Sequence, residues 1–282
     1  MWINGLFIVA FFGVLLLLEY LRPLRRRVEA KLPRLARNLT VSLLGAAVVQ
    51  LVEIPLITPL SSIVEKRGWG ILNLFQSPTW AEVILAVILL DYTLYIWHVL
   101  THRVPLLWRF HLVHHLDLDL DASTALRFHF VELLISVPWR AAQVIVIGVS
   151  PVSFLVWRGF VLLSVLFHHS NVALPFKLER WVVRLVVTPR MHGIHHSIVR
   201  EETDSNWSSG LTVWDWLHGT LRLNVPQQEI TIGVPAYRAR EEITVGKILL
   251  MPFGREKSAW QLPHDGQPAR PESTAAPDQL LA

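Results

Sequence analysis

Two stretches of this chain repeat the pattern His-x-x-His-His: His111, His114 and His115 in WRFHLVHH, and His192, His195 and His196 in PRMHGIHH. At the chain's histidine frequency a given window matches that pattern roughly once in 10,000, so composition does not account for two matches. On a helix the spacing i, i+3, i+4 puts three imidazoles on one side, and neutral imidazole is a ligand for Zn, Cu, Fe and Ni. WHVLTHR adds His98 and His102, four apart and on one helical face. Eight imidazoles are too many for one ion, whereas two ions a few ångström apart, each taking four or five ligands, would use them. The Glu and Glu-x-x-His pattern of soluble di-iron bundles does not accompany these boxes. Cysteine is absent, which excludes disulfides, thiolate metal sites, iron–sulfur clusters and a cysteine nucleophile.

Positioning these side chains falls to long apolar segments. The 282 residues are 52% hydrophobic and only 17% charged, with a mean hydropathy of +0.41, which is the balance of a membrane protein. Residues 2–20 form the first apolar run. Its arginines follow it instead of preceding it, so it reads as an uncleaved anchor and not a secretory signal. The basic stretch RPLRRRVEAKLPRLAR, residues 22–37, is placed on the cytoplasmic side by the positive-inside rule. Further spans are predicted over 39–60 and 80–100, followed by a helical hairpin over 131–149 and 152–167 broken at Ser150-Pro151. This topology brings every histidine cluster to one cytoplasmic face. The reading is an all-α integral membrane fold of about four to five membrane-embedded helices with a cytoplasmic, histidine-rich helical cap. It divides into anchor helices over 1–78, a catalytic region over 79–225, a cytoplasmic segment over 226–263 and a disordered tail over 264–282.

From about Asp91 to Thr220 the sequence resembles the fatty acid hydroxylase and sterol desaturase superfamily of integral-membrane di-iron enzymes. The resemblance rests on DYTLYIWHVLTHRVPLLWRFHLVHHLD, STALRFHFVE, FHHSNVALP, TPRMHGIHHS and WDWLHGT. It implies metal-ligand roles for His98, His102, His111, His114, His115, His192, His195 and His196, and it suggests His129 and His169 as well. Asp91, Arg127, Glu132, Asn171 and Asp215 become candidates for groups that orient the ligands, with Asn171 also a weak metal partner. Asp91, two turns before His98, is placed to orient that imidazole. The activity implied is O2-dependent hydroxylation or desaturation of a lipid C–H bond by two Fe ions cycling between Fe2+ and Fe3+. The sequence carries no flavin motif, haem-carrier domain or nicotinamide fingerprint, so electrons would come from a separate donor protein.

Two other chemistries fit part of the pattern. A zinc-dependent membrane hydrolase or lyase could use the same cage, although catalytic zinc takes three protein ligands. A non-catalytic haem or metal carrier is the other; bis-histidine haem needs ligands on facing helices and leaves the repeated box unexplained. Other features have plain readings. His168 and His218 are structural, His264 lies in the tail, and Asp117, Asp119 and Asp121 form a solvated loop. Arg25 to Arg27 set topology, and the twelve tryptophans mark membrane interfaces, so the net charge of +4 calls for no nucleic acid.

Overall fold

The computed structural model describes residues 2–262 and 266–270, and among these the regular structure is entirely helical apart from three isolated β-bridges. Four helices are long and apolar enough to cross a membrane. The first is made of α2 (Lys31–Val48) and α3 (Ile54–Arg67), joined through a π-helical turn at Val49–Glu53. The others are α4 (Thr79–Arg103), α6 (Phe130–Ile147) and α7 (Pro151–His169). The anchor expected at the start is the apolar helix α1 (Trp2–Leu21), which packs against α7 through Leu15 and Leu166. The α6–α7 hairpin turns where expected. Gly148 ends α6 in the left-handed region (φ 87°), and Ser150 caps α7 by accepting a hydrogen bond from the Ser153 amide, with Pro151 at the first helical position.

The core of this helical bundle is apolar: Ile57, Val64, Leu90, Val144 and Trp157 from α3, α4, α6 and α7 pack together. Arg140 is buried inside the bundle, where it donates to Gln143 (2.6 Å) and lies over the Trp157 ring at 4.2 Å. At the far end from the histidines, Gly70 (φ 90°) passes so close to Gly148 that a Cβ would stand 2.2 Å from its amide nitrogen, which restricts this crossing to glycine.

The histidine end is a cap of short elements: α5 (Pro105–His115), α8 (Phe176–Val182), α9 (Pro189–His195), α10 (Arg200–Thr203), α11 (Val213–Leu217) and α12 (Val245–Leu250). Its own core joins Leu112, Val113 and Leu116 to Val234, Tyr237, Ile243 and Ile248, so residues 226–262 are packed into the cap. The tail begins in the same way. Arg270 forms a two-pronged ion pair with Glu202 (2.5 and 2.8 Å), which ties that residue to the cap. Pro263, His264, Asp265 and residues 271–282 lie outside the described residues.

The aspartate loop overturns its expected solvated state. Asp117, Asp119 and Asp121 are all buried. Arg34 from α2 donates to Asp117 (2.8 Å) and Asp121 (2.5 Å), Asn38 donates to Asp117 (2.8 Å), and Asp119 accepts the amides of Val28 and Glu29 (both 2.8 Å). The sequence alternation conceals these partners because they come from α2 and the stretch just before it, some eighty to ninety residues away. Burial alone would raise the Asp117 carboxyl, but Arg34 and Arg127 outweigh it and hold the group well below the usual carboxylate range. Arg34→Met would strand two buried carboxylates and is expected to destabilise the protein by about 3–5 kcal/mol. Arg240→Ala, which removes a 61% exposed side chain 4.0 Å from Glu29 and leaves Glu29 paired with Arg37, should cost under about 1 kcal/mol. Denaturant unfolding in detergent measures the contrast.

Candidate metal centre

The helices bring the histidines into two adjoining groups of four, in each of which the ligand atoms lie within 4.8 Å of one another. His98, His102, His115 and His195 form the first, and His114, His169, His192 and His196 the second. Each His-x-x-His-His box serves both. On α5 the i+4 residue His115 joins the first group and the i+3 residue His114 the second; on α9 the i and i+4 residues join the second and the i+3 residue the first. The groups abut where the rings of His115 and His196 stack at 4.3 Å. His111 flanks the first group, its ring 4.8 Å from His102 and 5.0 Å from His115.

Hydrogen bonds at the rear of several rings fix which nitrogen faces inward. His98 donates from Nδ1 to the Trp207 carbonyl (2.6 Å), His169 to Val165 (2.8 Å) and His195 to Ser205 (2.9 Å), while His111 donates to the Glu132 carboxylate (2.7 Å). A carbonyl can only accept, so in the first three the proton sits on Nδ1 and the lone pair on Nε2. The inward Nε2 atoms of His102, His111, His115 and His195 are buried and have no hydrogen-bond partner among the described residues. In the second group Nε2 of His169 lies 3.0 Å from that of His114 and 3.1 Å from that of His192. Two nitrogens each at about 2.1 Å from one ion and at right angles stand about 3.0 Å apart. Orphaned lone pairs, all-imidazole donors and this spacing together fit a pair of transition-metal ions.

Burial keeps the cap imidazoles neutral, and neighbouring imidazoles add to the effect. Those of His114, His115, His192 and His196 are held well below the usual histidine range, and that of His195 is lowered to about 3.

The candidate orienting groups divide. Glu132 alone among the five touches an imidazole. Asp91 accepts the Leu211 amide (2.9 Å) and the Trp214 indole N–H (2.7 Å), so it reaches His98 only through the 207–214 loop. Asp215 holds the same loop, accepting the amides of Trp207 (2.8 Å) and Ser208 (2.9 Å). Arg127 donates to the Val113 carbonyl (3.0 Å) and bolsters α5 from behind. Asn171 is not aimed at a metal: its amide oxygen accepts from the Arg25 backbone N–H and its NH2 donates to the Arg25 carbonyl (both 2.9 Å). His129 is likewise placed elsewhere. It caps α6 by accepting the Val131 amide on Nδ1, its Nε2 bonds the Leu249 carbonyl, and its ring neighbours are Phe110, Phe130 and Phe253. His168, read as structural, lies against His192 and His169 at ring separations of 4.1 and 4.6 Å.

Three contributors escape a reading of the sequence. Arg25 is buried and donates to the Pro189 carbonyl (3.2 Å) and to Gln227 (2.5 Å), fixing the start of α9. Glu19 accepts the amides of Ala122 and Asn171, and its signal was a lone acid in an apolar run. Trp207 is fully buried and walls the first group, 4.6 Å from the His102 ring; nothing in its local sequence distinguishes it from an interfacial tryptophan.

The fatty acid hydroxylase family profile matches residues 83–220, the segment that supplies all nine histidines of the two groups and their flank. Residues 83–220 belong to the fatty acid hydroxylase family. This hydroxylase-family region and its flanks are 32% identical over 186 residues to the ornithine lipid hydroxylase OlsE of Rhizobium tropici, covering 64% of this chain and 53% of that protein. Identity to the alkylglycerol monooxygenase of Xenopus tropicalis is 29% over 166 residues (57% and 35%), and to the cholesterol 25-hydroxylase of Mus musculus 27% over 168 residues (58% and 55%). The alignments thus span about a third to a half of each relative. No solved structure matches.

Unfolding should follow the imidazoles as pH changes. An exposed imidazole takes a proton near 6.5, whereas His195 does so only at about 3. Between those values the unfolded chain therefore binds more protons, and each such imidazole removes up to about 1.4 kcal/mol of stability per pH unit as pH falls. The thermal midpoint of metal-free protein is expected to be level above pH 7 and to drop steeply from pH 6.5 to 5.

Proposed function

We propose that the protein is a membrane di-iron oxidoreductase that uses O2 to hydroxylate a C–H bond of a lipid. The observation that carries this reading is the pair of abutting histidine groups, in each of which the ligand nitrogens converge within 4.8 Å, several of them buried without a hydrogen-bond partner among the described residues. His98, His102, His111, His115 and His195 would hold one iron, and His114, His169, His192 and His196 the other. What a bound di-iron centre supplies is O2-dependent oxidation of an unactivated C–H bond.

The chain's own part is positioning and exclusion. Glu132 and the Trp207, Val165 and Ser205 carbonyls keep protons on the outer ring nitrogens, so the inner ones stay free to donate. Trp207 and the buried rings shield the centre from bulk water. The histidines sit at the same end of the bundle as the basic 22–37 stretch, which supports a multi-pass orientation with the site on the cytoplasmic face. The relatives whose names carry lipid hydroxylation or monooxygenation support a lipid substrate and favour hydroxylation over desaturation. Reducing equivalents come from a separate electron-donor protein in this reading.

Anaerobic purification should yield about two irons per chain, with most of the metal lost from a His195→Ala, His196→Ala double variant. Given lipid extract, a reductant and isotope-labelled O2, the wild type should transfer one labelled oxygen atom into a lipid. Tightly held zinc that persists after iron-supplemented expression would defeat the proposal. Glu132→Gln, which retains size but removes the charge behind His111, should weaken iron binding about 10- to 100-fold in a chelator competition.

A further inference from the structure

The two histidine groups differ in their access to the outside. All four members of the second group are buried, whereas in the first His102 is only partly so. The opening at His102 is a cleft of about 380 Å³, within the range of small-ligand sites and too small for a whole two-chain lipid. One wall is the α4–α5 junction with Arg103 and Trp108; another is α10 with Arg200 and Asp204. The third is Glu256 to Trp260, from the C-terminal segment that lies beyond the family-matched residues.

The charges across this cleft are unequal. Arg103 and Arg200 share a single carboxylate, Asp204, at 3.3 and 3.9 Å, and both arginine side chains are 54% exposed. Opposite them the charges balance: Glu256 takes Arg109 at 2.8 Å, and Lys257 pairs with Glu242. Two guanidiniums on one carboxylate leave one positive charge uncompensated at the mouth. Guanidinium is the side chain best matched to phosphate or carboxylate oxygens. Next to it Trp108 and Trp260 stack at 5.7 Å, and Trp108 lies 4.9 Å from the His102 ring, forming an apolar path from the arginines to the first histidine group.

We propose that this cleft seats the anionic group, phosphate or carboxylate, of the substrate lipid's headgroup against Arg103 and Arg200. The Trp108–Trp260 wall then packs on the adjoining carbons, and the lipid presents its headgroup end to the first histidine group past His102. This rests on the reading of the protein as a lipid oxidoreductase. It also makes the C-terminal segment a determinant of specificity, since Trp260 is supplied from outside the family region. The narrow concave shape favours a small anionic group over a docked acidic protein.

Binding tests the assignment without turnover. Metal-loaded protein in uncharged detergent is titrated with a short-chain phosphatidic acid, the uncharged diacylglycerol of the same chains, and inorganic phosphate. Wild type is compared with Arg200→Gln, an Arg103→Gln, Arg200→Gln double variant and Trp260→Ala. Phosphatidic acid is expected to bind at least about tenfold more tightly than diacylglycerol or phosphate alone. The double variant should lose that preference, Arg200→Gln should lose part of it, and Trp260→Ala should weaken both lipids. Equal binding of the charged and uncharged lipids, or an unaltered preference in the double variant when Arg200→Gln is folded and also unaltered, overturns the proposal. Phosphate binding as tightly as phosphatidic acid overturns it in favour of a free-anion site. A protein that shows the expected binding but transfers no oxygen would refute the oxidoreductase reading while leaving the headgroup seat in place.

Discussion

A buried nitrogen lone pair without a partner is costly, on the order of 1–3 kcal/mol, and this structure gathers several within a few ångström. Such an arrangement persists only if the surrounding fold prevents each ring from turning its nitrogen towards a nearer donor. Much of the cap is organised around that constraint. Backbone carbonyls at Val165, Ser205 and Trp207 and the carboxylate of Glu132 tie the rear of four rings, and ring-on-ring packing leaves the others little room to rotate. The stability withheld from these nitrogens is what a metal bound there would return, which would link site and fold energetically.

What resists the constraint is a second buried polar network on the opposite side of α5. Arg34 and Asn38 reach down from α2 to Asp117 and Asp121, while Arg127 grips the Val113 carbonyl inside the His111–His115 box. Buried ion pairs are expensive to desolvate, and their attested use is to fix register. Here they fix the register of α5 against α2, which decides where His111, His114 and His115 point. Asp91 and Asp215 do the same for the 207–215 loop, and Arg25 with Gln227 for the start of α9. The orienting carboxylates expected beside the imidazoles therefore mostly act one step further out, on backbone that in turn holds a ring.

Much of the architecture was legible along the chain because its signals are local. Apolar runs of bilayer length, Ser150-Pro151 between two of them, and three imidazoles at i, i+3, i+4 each depend on residues within a few turns of one another. The misreadings share the opposite property. Asp117, Asp119 and Asp121 look solvated until Arg34 is brought to them, Asn171 looks like a ligand until Arg25 claims both ends of its amide, and His129 looks like a ligand until α6 uses it as a cap.

The sequence by itself therefore determined that several helices are long and apolar enough to cross a membrane, that histidines collect at one end, and that there are too many for one ion. Only the tertiary structure decided how they are divided. Helical spacing fixes which face an imidazole occupies but not which neighbour that face meets, and α5 and α9 lie so that each box contributes to both groups, with the i+3 residue crossing to the other side. The opening at His102 is decided in the same way, because its walls come from α4, α5, α10 and the segment from Glu256 to Trp260. Long-range packing, and not periodicity, sets those distances.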